Sequence, residues 1–193
     1  MISAVLLAAG ESRRMGEFKQ LLPLGGKTFV ECCVDNLLAS RAGEVIVVTG
    51  HREADVRRVV GDRPIQFAHN PDYRDGMSSS VKRGVEAASE RSRACLVALV
   101  DQPQISVDVI NRVIETYEKD EPLIVIPTYE GRNGHPIILD LKLKGELLAI
   151  DPARGLREVV RARASRVARV EISTEAILTD FDYPEDYRRI LKH

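Results

Sequence analysis

Apolar residues along this chain gather in short unbroken runs, at Ile2–Ala9, Val45–Thr49, Ile65–Ala68, Cys95–Val100, Leu123–Pro127 and Pro136–Leu139. Several of these are apolar at successive positions, which fits strands covered on both faces better than strands with one face in water. Segments of helical length separate the early runs: Thr28–Ser40, Glu53–Val60, Ser80–Glu90 and Ser106–Glu118. In the last of them Val109, Ile110, Val113, Ile114 and Tyr117 share one face at helical spacing, and Ser106 precedes them as an N-cap. Strand and helix alternate from Met1 to about Glu118. That alternation predicts an α/β fold, a mostly parallel sheet with helices on both faces.

Beyond Glu118 the pattern loosens. Leu123–Leu139 reads as two strands joined by the turn-rich Glu130-Gly131-Arg132-Asn133-Gly134, followed by helices over Leu141–Ile150 and Gly155–Arg163. A last strand near Arg169–Ile172 and a short helix opened by Pro184-Glu185-Asp186 end the pattern. No repeat, low-complexity tract or linker interrupts it, so the 193 residues are expected to form one domain, 1–193.

Charge narrows the partners. Lys and Arg number 28 against 29 Asp and Glu, a formal net charge of −1, which removes the global electrostatic argument for nucleic acid or a polybasic membrane contact. The start MISAVLLAAG lacks the basic region of a signal peptide, and no apolar run approaches the roughly 18–20 residues of a spanning helix. The expected location is cytoplasmic. Cys32, Cys33 and Cys95 are odd in number, lack a C-x-x-C spacing and lie in apolar stretches, so they are expected to be buried thiols.

Any positive site is therefore local, and the loop after the first run supplies one. In a doubly wound sheet ligands bind beyond the carboxyl ends of the strands, and Gly10 through Lys19 falls there with Arg13, Arg14 and Lys19. Glycine lets the backbone approach a ligand closely, so that N–H groups point at phosphate oxygens. The loop contains neither G-x-G-x-x-G nor G-x-x-x-x-G-K-[ST].

Leu7-Ala8-Ala9-Gly10-Glu11-Ser12-Arg13-Arg14-Met15-Gly16, with Lys19 beyond, resembles the L-A-[AG]-G-x-[SG]-x-R-M-G-x-x-K signature of nucleotidylyltransferases of the nucleotide-diphospho-sugar transferase superfamily. The resemblance continues in order through Asn70-Pro71, Gly76 to Val81, Asp101-Gln102-Pro103, Gly134-His135-Pro136 and Asp180 to Asp186. Within that superfamily the set is most similar to the molybdenum cofactor cytidylyltransferases, which join CTP to the terminal phosphate of molybdopterin and release pyrophosphate. Related guanylyltransferases read L-A-G-G where this chain has Leu7-Ala8-Ala9-Gly10, which favours CTP over GTP.

The resemblance implies a Rossmann-like three-layer α/β/α fold, with a nucleotide-binding part over about 1–105 and an acceptor-binding part over about 106–193. It implies that Leu7, Ala8, Ala9 and Gly10 border the nucleotide. Arg14 would hold the β- and γ-phosphates and Lys19 the α-phosphate, with Asn70 and Ser80 on the nucleoside and Gly134-His135 on the acceptor. Asp101, at the end of the run Cys95–Val100, would hold Mg²⁺ with a second aspartate from Asp180-Phe181-Asp182, preferably Asp182. Nucleotidyl transfer to an already ionised phosphate needs clamps and a cation rather than a dedicated base. The sequence correspondingly shows no H-E-x-x-H and no G-x-S-x-G.

Other readings stay open at this point: transfer to a sugar or polyol phosphate, a non-catalytic protein delivering cofactor to a molybdenum hydroxylase, or a redox protein on the same scaffold.

Overall fold

The computed structural model of the chain describes residues 1–191, so Lys192 and His193 of the expected 1–193 domain lie outside the described residues. One eight-stranded sheet spans both halves, built from β1 (Ile2–Leu7), β4 (Glu44–Thr49), β5 (Gln66–His69), β6 (Ala94–Leu99), β7 (Ile124–Tyr129), β8 (Arg132–Asn133), β9 (Ile137–Asp140) and β10 (Val167–Glu171). Its order is β10-β7-β9-β6-β1-β4-β5, with β8 paired to β7. The pairs β1–β4, β1–β6, β4–β5 and β7–β10 are parallel, whereas β9 runs antiparallel to both β6 and β7. Two short strands, β2 (Pro23–Leu24) and β3 (Lys27–Thr28), form a separate antiparallel ribbon.

The unbroken apolar runs have the expected cause. Along β1 and just beyond it, Ala4, Leu6 and Ala8 pack into one core, and Val5, Leu7 and Ala9 into another on the opposite face. The first is covered by α1 (Phe29–Leu38), α2 (Glu53–Val60) and α4 (Val107–Asp120). The second is covered by α3 (Met77–Ala87), α5 (Lys144–Leu148) and α6 (Leu156–Ala162), which makes three layers. Val5 and Leu6, fully buried on opposite faces, each contribute about 1.5–3 kcal/mol relative to exposure. A short α7 (Pro184–Ile190) closes the description.

Local signals set the helix ends. Thr28 caps α1 in a capping box with Glu31, and the Ser106 hydroxyl accepts from Val109 N–H at the start of α4. The structure departs from the sequence reading in three places. Helix α3 begins at Met77, not Ser80, because Gly76 adopts φ 104° and turns the chain three residues earlier than the apolar pattern shows. The expected helix Leu141–Ile150 is a 3-10 turn, Leu141–Leu143, running into the short α5. Cys33 and Cys95 are buried, but Cys32 is only half-buried, on the side of α1 facing Leu24.

Candidate active site

Register brings the two halves of the site together. In the parallel pair β1–β6, Leu7 lies opposite Leu99, and Val100 N–H donates to Leu7 O at 3.3 Å. Gly10 and Asp101 therefore leave the sheet side by side at its carboxyl edge. A cleft of about 200 Å³ opens there against the first turn of α3, with Leu7, Ala9, Gly10, Lys19, Ser80 and Asp101 in its wall. Ala8 differs from its expected place: strand alternation sends its methyl into the opposite core, and only its carbonyl serves the loop.

A residue that the sequence analysis did not single out holds that loop. Gln20, wholly buried, donates from Nε2 to Ala8 O at 3.1 Å and Gly10 O at 2.9 Å, and its Oε1 accepts from the Ser12 hydroxyl at 2.9 Å. Ser12 Oγ in turn accepts from Lys19 N–H at 3.2 Å, closing the loop on itself. The left-handed turns fall at Ser12 (φ 57°) and Gly16 (φ 74°). A Cβ at Gly10 would meet nothing within 4 Å, so the missing side chain leaves an open cradle beside the cleft.

Lys19 Nζ donates to Asp101 Oδ2 at 2.7 Å and to Asp182 Oδ1 at 2.9 Å, joining three segments far apart in sequence. Its side chain is 13% exposed. Burial pulls the ammonium pKa down, but the two carboxylates outweigh burial and hold it above the usual lysine value. Asp182 is delivered by its neighbour: Phe181 N–H donates to Asp101 O at 3.0 Å, and the Phe181 ring packs edge-on to Phe29, 5.5 Å between centroids, in a cluster with Met15 and Leu22.

Asp180 turns away to accept from Gln102 Nε2 at 2.8 Å, and burial together with the nearby Asp101 charge raises its pKa. None of Asp101, Asp180 and Asp182 caps a helix, since Ser106 caps α4 and Tyr183 precedes α7. Arg14 pairs with Asp182 Oδ2 at 2.5 Å and is 61% exposed. Arg13, also in the loop, is exposed and pairs with Glu11.

The residues present fit a divalent ion arriving with a nucleotide. Asp101 Oδ1 is buried and accepts no hydrogen bond among the described residues, an orphaned hard oxygen facing the cation's natural chemistry. Among the described residues no group of three or more His, Cys, Asp or Glu side chains is placed to hold an ion. Mg²⁺ accepts that poverty of ligands, because it takes one or two carboxylates and completes its shell with phosphate oxygens and water.

On the other wall, Ser80 sits inside the first turn of α3, where Gly76 rather than any serine is the N-cap. Asn70 is buried and faces Ser79 and Ser80 instead of the open cleft. Gly134 and His135 immediately precede the antiparallel β9, so they lie at the carboxyl ends of β6 and β7, near Asp101. A Cβ on Gly134 would stand 2.4 Å from Ile177 O, a packing reason for glycine there. His135 makes no side-chain hydrogen bond among the described residues; burial lowers its pKa, with the Asp101 charge opposing, so the ring is neutral at pH 7. Gln102 and Tyr73, with Gln20, complete the surroundings of the site. Gln102 stands inside the quoted Asp101-Gln102-Pro103, whereas the only trace of Tyr73 and Gln20 in the sequence is an aromatic or polar residue beside a recognised motif.

Known proteins resemble the chain over most of its length. The family model of the MobA-like NTP transferase domain matches residues 4–168. The chain is 30% identical to nicotine blue oxidoreductase of Paenarthrobacter nicotinovorans, over 98% of this chain and 96% of that protein. It is 27% identical to molybdenum cofactor cytidylyltransferase of Escherichia coli K12, over 96% and 93% respectively. A solved nucleotidyl transferase from Methanothermobacter superposes with a TM-score of 0.85 at 29% identity, covering 100% of this chain and 97% of its own. With its sheet, its glycine loop and its match over most of its length, the chain belongs to the MobA-like NTP transferase family, and it is a nucleotidyltransferase.

Proposed function

We propose that the chain transfers the cytidylyl group of CTP to the terminal phosphate of a molybdopterin-type acceptor, with Mg²⁺ and with release of pyrophosphate. The observation that carries this reading is the Lys19 ammonium held between Asp101 and Asp182 at the mouth of a glycine cradle, with one Asp101 oxygen left unpaired. That arrangement supplies a mobile positive charge and two hard oxygens where a triphosphate enters. Asp101 and Asp182 would hold the ion, which when bound neutralises charge building on the departing pyrophosphate.

The chain's own groups have simple tasks. Backbone N–H groups of the loop and Lys19 orient the α-phosphate, and Arg14, which is exposed and held by Asp182 and the Tyr183 side chain, swings onto the outer phosphates. An acceptor phosphate oxygen forms the new bond to the α-phosphorus as the bond to the β-phosphate oxygen breaks. No side chain need take a proton, because the attacking phosphate is ionised at neutral pH with a second pKa of about 6. Neutral His135 and the Gly134 turn border the acceptor side. In this reading residues up to about 105 bind the nucleotide and those from 106 onward bind the acceptor.

Ala9 supports CTP. Its methyl lies in the cleft wall, and its carbonyl accepts from His51 N–H at 3.0 Å, so the wall at this point is fixed and narrowed by one carbon relative to glycine. A molybdenum hydroxylase is the partner to which such a product would pass.

A second reading, reduction of an organic substrate, is favoured by the name of the 30% identical relative. Incubation with CTP, Mg²⁺ and molybdopterin separates the two: pyrophosphate formation supports transfer. Absence of pyrophosphate with every phosphorylated acceptor, together with oxidation of a reduced nicotinamide cofactor, supports reduction. A sugar or polyol phosphate consumed in place of molybdopterin would correct the acceptor alone.

A further inference from the structure

Two arginines flank the glycine loop in the same manner, and the signature contains only one of them. Arg14 pairs with Asp182, and its guanidinium carbon lies 5.6 Å from the centre of the Tyr183 ring. Arg74 comes from the short turn Tyr73–Asp75 that precedes α3. Its Nε donates to Glu11 Oε1 at 2.8 Å, and its guanidinium carbon lies 5.2 Å from the centre of the Tyr73 ring. Gly10 and Tyr73 both line the cleft, and Glu11 and Arg74 are the residues that follow them. The pair therefore ties the loop to the α3 side at the mouth of the cleft, across 63 positions of the chain.

Tyr73 is seated firmly. A Cβ on Gly50 would stand 2.8 Å from the Tyr73 ring and 2.9 Å from Ala9 O, so the ring is packed against the chain just beyond β1 and β4. Arg74 is not held in this way. Its side chain is 68% exposed, and among the described residues neither of its terminal nitrogens donates to a carboxylate.

Glu11 explains why the arginine waits there. A carboxylate in a loop shaped for phosphate would repel its ligand, and two guanidiniums neutralise it: Arg74 on Oε1, and Arg13 on Oε2 at 2.5 Å. Those bonds, Arg74's first, hold the Glu11 pKa down at about 2, so protonation does not release Arg74 near neutral pH. A competing anion can. Arg13 stays on Glu11 when Arg74 leaves, so the carboxylate does not face the newcomer uncompensated. Exposed ion pairs of this kind are weakly held, whereas a phosphate offers the planar guanidinium fork a bidentate bond that the single Nε contact to Glu11 does not make.

We propose that Arg74 is a further binding residue for the outer phosphates of the nucleotide, tethered by Glu11 until the polyanion displaces it, and reaching them from the α3 flank as Arg14 does from the Asp182 flank. The inference rests on the nucleotide reading above and adds a contact that the signature does not contain.

Calorimetry on the full chain with Mg²⁺ tests it, with inorganic tripolyphosphate, CTP and CMP as probes. Arg74→Ala is expected to weaken tripolyphosphate and CTP by roughly tenfold or more and to leave CMP, which lacks the outer phosphates, unchanged. Unchanged CMP binding also shows that the variant is folded. Arg74→Lys keeps the charge without the planar fork and is expected to fall between. Glu11→Gln loosens the tether at nearly constant shape. It is expected to tighten tripolyphosphate several-fold in the otherwise unaltered chain, and by less in the Arg74→Ala background, where no arginine is left to release. Equal losses for all three probes would make Arg74 a support of the cleft wall, and no loss for any would make it a surface ion pair; either result overturns the proposal. So does a Glu11→Gln gain that is as large without Arg74. A wild type that binds neither CTP nor tripolyphosphate refutes the nucleotide reading itself and the proposal with it, a result distinct from an Arg74→Ala variant that binds as the wild type does.

Discussion

The Lys19 ammonium stands 2.7 Å from an Asp101 oxygen, although 82 positions separate the two in the chain. With Asp182 on its other side, the lysine occupies the place where two carboxylates would otherwise repel each other and attract a cation. In the proposed reading, the cation site is closed by the same residue that the bound phosphate would draw away.

Lys19→Met is therefore expected to act in opposite directions on two measurements. Turnover with nucleotide and acceptor should fall by roughly 10²–10³, the usual loss when one charge-stabilising donor is removed. Binding of Mn²⁺ without nucleotide, read by electron paramagnetic resonance, should tighten by roughly tenfold, because two carboxylates lose their internal counter-charge. Unchanged or weaker Mn²⁺ binding would show that the lysine does not occupy the cation's place.

Gln20→Leu removes the buried amide beneath the loop and leaves Ala8 O and Gly10 O without their partner. The expected cost is about 1–3 kcal/mol in chemical denaturation, the range for stranding buried polar groups. Amide exchange over Ser12–Lys19 should also quicken. A loop that exchanges as slowly in the variant would mean that Gln20 merely fills space.

Gly84→Ala tests the packing of α3 on the sheet. A Cβ there would stand 2.2 Å from Val5 Cγ1 in β1, so helix and strand must part or the valine must move. Unfolding free energy is expected to drop by about 1–3 kcal/mol, outweighing the better helix propensity of alanine.

His135 gives the stability a pH dependence of definite sign. Its folded pKa lies below the usual histidine value of 6.5, so the unfolded chain binds the proton more readily. The contribution is fully present above pH 6.5 and is lost as pH falls toward the depressed folded value. Thermal melts of wild type and His135→Asn should run parallel above that pH, and below it the wild type should lose stability faster. Parallel curves throughout would place the imidazole in water.

Much of this fold was legible because its strands are covered on both faces. Runs such as Ile2–Ala9 and Cys95–Val100 name the central pair β1–β6, and Asp101 follows the second run directly. Helix α3 was misjudged at its start because Met77-Ser78-Ser79-Ser80 carries no apolar stripe; Gly76 starts the helix by its backbone geometry. The motif residues around the loop were legible as a set, yet Gln20 was not. A buried glutamine satisfied by two carbonyls and a serine looks, in one dimension, like any polar residue before Leu21-Leu22. Ala8 shows the same limit from the other side, since only strand alternation reveals that its methyl points away from the cleft.

The most direct measurement of the central claim is a crystal structure with Mg²⁺ and a non-hydrolysable CTP analogue. The account predicts the triphosphate along Gly10–Lys19, the Lys19 ammonium moved from Asp182 onto phosphate, and the ion on the freed oxygens of Asp101 and Asp182. A triphosphate bound elsewhere, with the Lys19 bridge intact, would contradict it.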